Sequence, residues 1–161
     1  MTKDASGSGV DGRRLSQALR GVRRLRRLSS AETAARMHLS LRSYQRFEAG
    51  AVRLNIDHVH RFAAATGSDA HAILLAVAIG SPQFAVRAAD NQMGAILTIA
   101  LQKFDEAQGD RLARLDIHTL IRVIGGAFDE LGEILGPDDP DQTWIDDGLG
   151  ALAERRPKPG R

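Results

Sequence analysis

The 161-residue chain contains no cysteine, which excludes disulfide staples and thiolate-held metal centres. Aromatic residues make up only 4% of it, so any core must be built mainly from aliphatic and alanine side chains. Long apolar runs are missing too. The longest, Ala70 to Ile79, falls well short of the roughly 20 residues needed to cross a bilayer. The opening stretch, Met1 to Gly9, is small and polar, without the apolar segment of a signal peptide or anchor. No membrane partner is therefore expected, and a soluble, cytoplasmic protein is. Gly-rich phosphate loops and nucleophile elbows are absent. His58 and His60 stand two apart, which on a helix turns them roughly 200° from each other and away from a shared ion. These absences predict a protein that is not an enzyme and that needs neither cofactor nor metal.

Charge is present, but unevenly. The net charge is only +2, yet Arg13 to Arg61 holds twelve arginines against Glu32, Glu48 and Asp57, a local balance of +9. Asp129 to Asp147 holds eight acidic residues and no Lys or Arg. A basic head with an acidic tail suggests a polyanion partner for the head. Arginine carries nearly all of that basic charge, and its planar fork matches phosphate oxygens and the guanine edge better than lysine does.

Hydrophobic spacing predicts an all-α chain, with no strand pattern and no internal repeat. Residues 1–11 are dominated by Gly, Ser and charge and are expected to be disordered. A first helix is expected over 12–27, with Leu15, Leu19, Val22 and Leu25 or Arg26 at its inner spacing. Ser29 and Glu32 form a capping-box signature for a second helix, whose inner face is read as Ala31, Ala34, Ala35 and Met37. His38 and Leu39 make a turn, and Ser40 caps a third helix, 41–49, that buries Tyr44 and Phe47 and stops at Gly50. Asn55 caps a fourth, with Ile56, Val59, Phe62 and Ala63 inward and Leu54 stapled to Val59. A fifth runs from Asp69 to Ile79.

Gly80-Ser81-Pro82 marks the clearest break in the pattern. Beyond it two longer amphipathic helices are expected, over 82–109 and 116–135, with a helical turn at 111–115 between them. Gly125-Gly126 in the second suggests a close helix crossing or a kink. The organisation predicted is thus a disordered start over 1–11, a head over 12–80, a helical dimerisation or interaction region over 82–136, and a largely flexible tail over 137–161. That tail is acidic and then basic, with a short amphipathic segment from Trp144 to Leu152. Two amphipathic helices enclose no core alone, so those of 82–135 are expected to pair with a second copy. A cut near Ser81 is expected to leave a folded, monomeric head.

Residues 15–75 resemble the lambda-repressor and Cro-like helix-turn-helix domain, the xenobiotic response element type, without gaps from Leu19 to Leu74. The carriers are Leu28-Ser29, Ala34, Ser40, Tyr44, Arg46, Phe47, Glu48 and Gly50, followed by Ile56, Val59, Phe62, Ala63 and Gly67. The family commonly has Gln where Ser30 stands, Gly where Arg27 and His38 stand, and a polar residue where Leu41 stands. The resemblance implies a five-helix DNA-binding domain whose third helix enters the major groove of double-stranded DNA.

On that footing Ser30, Ser40 and Ser43 offer hydroxyls and backbone N–H groups to phosphate. Arg42 and Arg46 each form a forked pair with guanine, Gln45 reads adenine, and Leu41 touches a thymine methyl. Arg53, with Arg23 or Arg27, clamps phosphates. The same reading makes the protein a homodimeric transcription regulator of the nucleoid, more often repressor than activator in this family. The competing roles for Arg46 are a salt bridge to Glu48 or Glu32. The competing function is a protein-interaction module, an antitoxin or an RNA polymerase adaptor, working through the acidic tail.

Overall fold

The computed structural model describes residues 4–136, with side chains from Gly9 onward. The tail expected over 137–161, including Trp144 to Leu152, lies outside the described residues. Every regular element among the described residues is helical, so the class is all-α. The order is α1 Asp4–Leu25, α2 Ser30–Arg36, α3 Leu41–Glu48, α4 Ile56–Thr66, α5 Ala70–Ala78, α6 Pro82–Arg87 and α7 Met93–Gln108, then a 3₁₀ turn Gly109–Arg114 and α8 Ile117–Leu135. The chain forms two compact units that meet in sequence at Ala107 and Gln108.

Helix α1 begins at Asp4 rather than near residue 12, because each residue added to an existing helix gains a backbone hydrogen bond. Its buried stripe is Leu15, Ala18, Leu19 and Val22. Leu25, expected inward, is exposed, and the stem of Arg26 lies half-buried beside it. Around α1 gather Met37 and Ala34 from α2, Tyr44 and Phe47 from α3, Val59 and Phe62 from α4, and Ile73 and Val77 from α5. Three sequence expectations fail at the surface: Ala31 and Ala35 are exposed while Thr33 is buried, Ile56 is exposed, and so is Leu54. Short helices bury a narrower arc than their apolar residues span.

Helices α1, α2, α3 and α5 all stop the same way. In each, paired backbone bonds reach back into the last turn, such as Leu39 N–H to Ala34 O at 2.9 Å and Ser81 N–H to Ala76 O at 2.9 Å. This Schellman closure needs one residue in the left-handed region. Gly50 and Gly80 supply it after α3 and α5, but Arg27 (φ 55°) and His38 (φ 54°) supply it after α1 and α2.

The break expected at Ser81 is a tight turn. Gly80 closes α5, and Pro82 occupies the first turn of α6, where a missing N–H costs nothing. Ala85, Ala88 and Ala89 are then buried, so α6 belongs to the same unit as α1 and α5, and that unit does not end at residue 80. The single helix expected over 82–109 is two, parted at Gln92 (φ 56°), with Asn91 Oδ1 accepting the Met93 N–H at 3.0 Å.

Asp69 joins the two ends. One of its carboxylate oxygens accepts the His71 and Ala72 N–H groups at 2.9 and 3.2 Å, and the other accepts the Ala95 N–H at 2.9 Å. A single buried carboxylate thus caps both α5 and α7. The close approach requires Gly94, where a Cβ would lie 2.2 Å from the Ala72 nitrogen.

Gly50→Ala is expected to destabilise the protein by about 3 kcal/mol or more, since its Cβ would fall 2.0 Å from the Gly12 carbonyl oxygen at a left-handed φ. His38→Gly should instead raise stability by up to about 1 kcal/mol, by relieving the left-handed strain. Urea unfolding of both variants measures the contrast.

Candidate nucleic-acid interface

Helix α3 divides cleanly into two faces. Tyr44, Phe47 and Glu48 point into the core, while Leu41, Arg42, Ser43, Gln45 and Arg46 are exposed. Positions 42, 45 and 46 cluster on the side opposite the buried trio, as a 100° step per residue dictates. The helix starts at Ser40, whose Oγ accepts the Ser43 N–H at 3.2 Å and donates to the Ser43 Oγ at 2.9 Å. The Ser40 hydroxyl is therefore engaged, and Ser43 keeps the free hydroxyl proton. One helix earlier, the Ser29 and Glu32 capping box is complete, at 3.1 and 2.8 Å. It leaves Ser30 half-buried as the first residue of α2.

Beneath α3 sits a charged network that sequence reasoning misassigned. Glu48, 6% exposed, accepts Arg23 Nε at 2.5 Å and Nη2 at 3.3 Å, and also accepts the Tyr44 hydroxyl at 2.7 Å. Arg23 Nη1 donates to the Leu28 carbonyl at 3.0 Å. Arg23 is thus an internal strut between α1 and α3, and its proposed role as a phosphate clamp is withdrawn. The hydrogen bond to Glu48 holds its guanidinium even more firmly protonated than usual. Burial first, and then the bond to Glu48, push the Tyr44 phenol far above its ordinary value, so it remains a donor. Glu48 does not pair with Arg46, because Glu48 lies on the buried face of α3 and Arg46 on the exposed one.

Other arginines of the basic head are also occupied. Arg26 donates to the Thr66 and Gly67 carbonyls, both at 2.9 Å, and pairs with Asp90 at 2.5 Å, closing the end of α4. Arg36 donates to the Ala65 carbonyl at 3.2 Å, and Arg14 meets Asp11 at 3.4 Å. The guanidinium groups of Arg27, Arg42, Arg46 and Arg53 are exposed and make no hydrogen bond or ion pair with any described residue. The usable positive charge is therefore narrower than +9, and it includes the outward face of α3.

Arg46 and Arg53 share a shallow depression of about 240 Å³ with Ser43, Asn55 and His58. His58 rests edge-on against Phe47 at 5.5 Å, and its Nδ1 is the one buried side-chain polar atom without a partner among the described residues. Two guanidinium groups, a hydroxyl and an amide around one hollow suit a phosphate group. His58 was not foreseen here, because helical spacing from His60 says nothing about the α3–α4 loop that folds over it. His60 faces His71 instead, with ring centres 5.4 Å apart. Ser30 and Arg27, by contrast, do not line this depression.

Comparison with protein-family models, with curated proteins and with solved structures gives no match. No helix among the described residues is long and apolar enough to cross a membrane.

Arg23→Ala should cost about 2–3 kcal/mol, because Glu48 is left buried without its cation, and Arg23→Met with Glu48→Gln should recover part of the loss. Thermal melts compare the two. On the acid side, Arg26 holds the Asp90 carboxyl below its ordinary value, and the Ser29 backbone N–H does the same for Glu32. Carboxyls lowered in the folded state stabilise fully above the unfolded value and lose that contribution as pH falls through the folded one. The melting temperature should therefore hold down to about pH 4 and drop below it, with Asp90→Asn and Glu32→Gln flattening the acid limb.

Proposed function

We propose that the protein is a sequence-specific double-stranded-DNA-binding transcription regulator of the lambda-repressor and Cro-like helix-turn-helix type, acting as a homodimeric repressor. The observation that carries this reading is the outward face of α3. Arg42, Gln45 and Arg46 stand exposed there, with no carboxylate of the described residues against them. An eight-residue helix of this kind, anchored from behind by Tyr44, Phe47 and Glu48, suits the major groove, where Arg reads guanine O6 and N7 and Gln reads adenine. The short turn from α2 into α3, and the succession α1 to α5, fit the five-helix arrangement of that family.

Roles follow from position. Arg42, Gln45 and Arg46 read base edges, and Leu41, 44% exposed, meets a thymine methyl. Ser43 and Arg53 seat one phosphate in the hollow that the stem of Arg46 borders. Ser30, Ser40 and Arg27 serve the neighbouring backbone through N–H groups and charge. A single head touches few base pairs, so two heads on half-sites about one helical turn apart roughly double the contact free energy.

Fluorescence anisotropy with a labelled operator selected from random duplexes tests this reading. Arg42→Ala and Arg46→Ala should each weaken the selected site by about 1–3 kcal/mol and relax preference at one position, with the circular dichroism unchanged. Arg53→Ala should weaken all duplexes alike and reduce the salt slope by about 1. Absence of DNA affinity at modest salt would move the protein to the interaction modules, antitoxins or RNA polymerase adaptors.

A further inference from the structure

Helix α1 carries a charged ridge on the side away from the core. Leu15, Ala18, Leu19 and Val22 define its buried face. At about 100° per residue, Arg13, Gln17, Arg20 and Arg24 all fall within about 30° of the opposite direction, and all four are exposed. No acidic or apolar side chain between Arg13 and Arg24 shares that arc. The three guanidinium groups make no hydrogen bond or ion pair with any described residue. The nearest acid on the helix, Asp11, is turned toward Arg14 on another side. The ridge is also distinct from the outward face of α3. Helix α3 meets α1 along the side that holds Gly12 and Arg23, about a quarter turn round from the arginines, and α6 meets Gly21 on the other flank.

We propose that this ridge is a second, sequence-independent contact surface for the phosphate backbone of double-stranded DNA. Three cations stand in line over about 16 Å of helix, and a duplex presents a phosphate about every 1.7 Å along its axis, about ten over that length. Such a ridge finds charge in any register and gains nothing from one base sequence over another. A bilayer surface would require the apolar face of α1, and that face is spent in the core. A single strand would require aromatic platforms for its bases, and α1 has no aromatic residue. A duplex needs neither. The ridge then adds the same affinity to every duplex, holding the head on DNA while α3 tests one site after another.

The inference rests on the proposed function only for the choice of DNA as the polyanion. Its test is anisotropy of the full chain with a random duplex and with the selected operator, each over a range of salt. Arg13→Gln, Arg20→Gln and Arg24→Gln combined should weaken both duplexes by the same factor, about tenfold or more at 0.1 M salt. The slope of log affinity against log salt should fall by about 3, and the preference for the operator should stay unchanged. Arg→Lys at the same three positions should keep the slope and most of the affinity, since charge alone is required there. Both variants should melt with the natural chain, because the three side chains lie opposite the core. An unchanged slope in the triple Gln variant, with DNA binding intact, overturns the ridge alone. A lost operator preference in that variant overturns its sequence independence. Ridge-dependent binding to random duplex from which no preferred sequence can be selected overturns the reading of α3 and leaves the ridge standing. No affinity for any duplex at modest salt overturns both.

Discussion

The buried carboxylate of Glu48 holds the candidate interface together. It takes two bonds from Arg23 on α1 and one from Tyr44 a turn earlier on its own helix, so α3 cannot roll about its axis without breaking charged hydrogen bonds. Such bonds are about twice as strong as neutral ones, and in this half-buried setting water does little to weaken them. Phe47 adds apolar contact beside them, touching the rings of Tyr44, His58 and Phe62. The outward direction of Arg42 and Arg46 is thus set from behind, by the groups that fix the inward face.

The same principle governs the other arginines. A guanidinium has five donors, and helix ends offer unpaired carbonyls, so Arg26 and Arg36 settle on the last turn of α4. What remains for a polyanion is the set that no carbonyl or carboxylate captures. Local net charge overstates that set. Four arginines at the end of α1 and just past it make the point, because Arg23 and Arg26 are tied down while Arg24 and Arg27 are exposed.

Local chemistry was legible in the sequence wherever one residue and its near neighbours decide the outcome. The Ser29–Glu32 box and the caps at Ser40 and Asn55 follow from side chains reaching three residues or fewer, and the left-handed Gly50 follows from having no side chain at all. Tyr44 and Phe47 were also readable as core, since only one face of so short a helix carries aromatics. Long-range choices were not legible. Nothing in the spacing around Arg23 distinguishes a solvent-facing cation from one that meets Glu48, 25 positions on. Nor does periodicity reveal that Gln92 adopts a left-handed turn and splits one apolar pattern into α6 and α7. Pro82 starts a helix, as the pattern from 82 onward indicates, but nothing in Gly80-Ser81-Pro82 discloses that Ala85 and Ala88 then fold back onto α1 and α5.

The double duty of Asp69 has a mechanical consequence. Because α5 and α7 begin at the two oxygens of one carboxylate, with Gly94 wedged against the Ala72 backbone, α7 leaves its root as a cantilever about 24 Å long rather than as a hinged strut. A sideways load on its free end becomes torque on the first turn of α5. There it must either deflect the whole helix pair or rupture the bonds of Asp69, so strain applied at the tip is felt at the base without a flexible joint to absorb it.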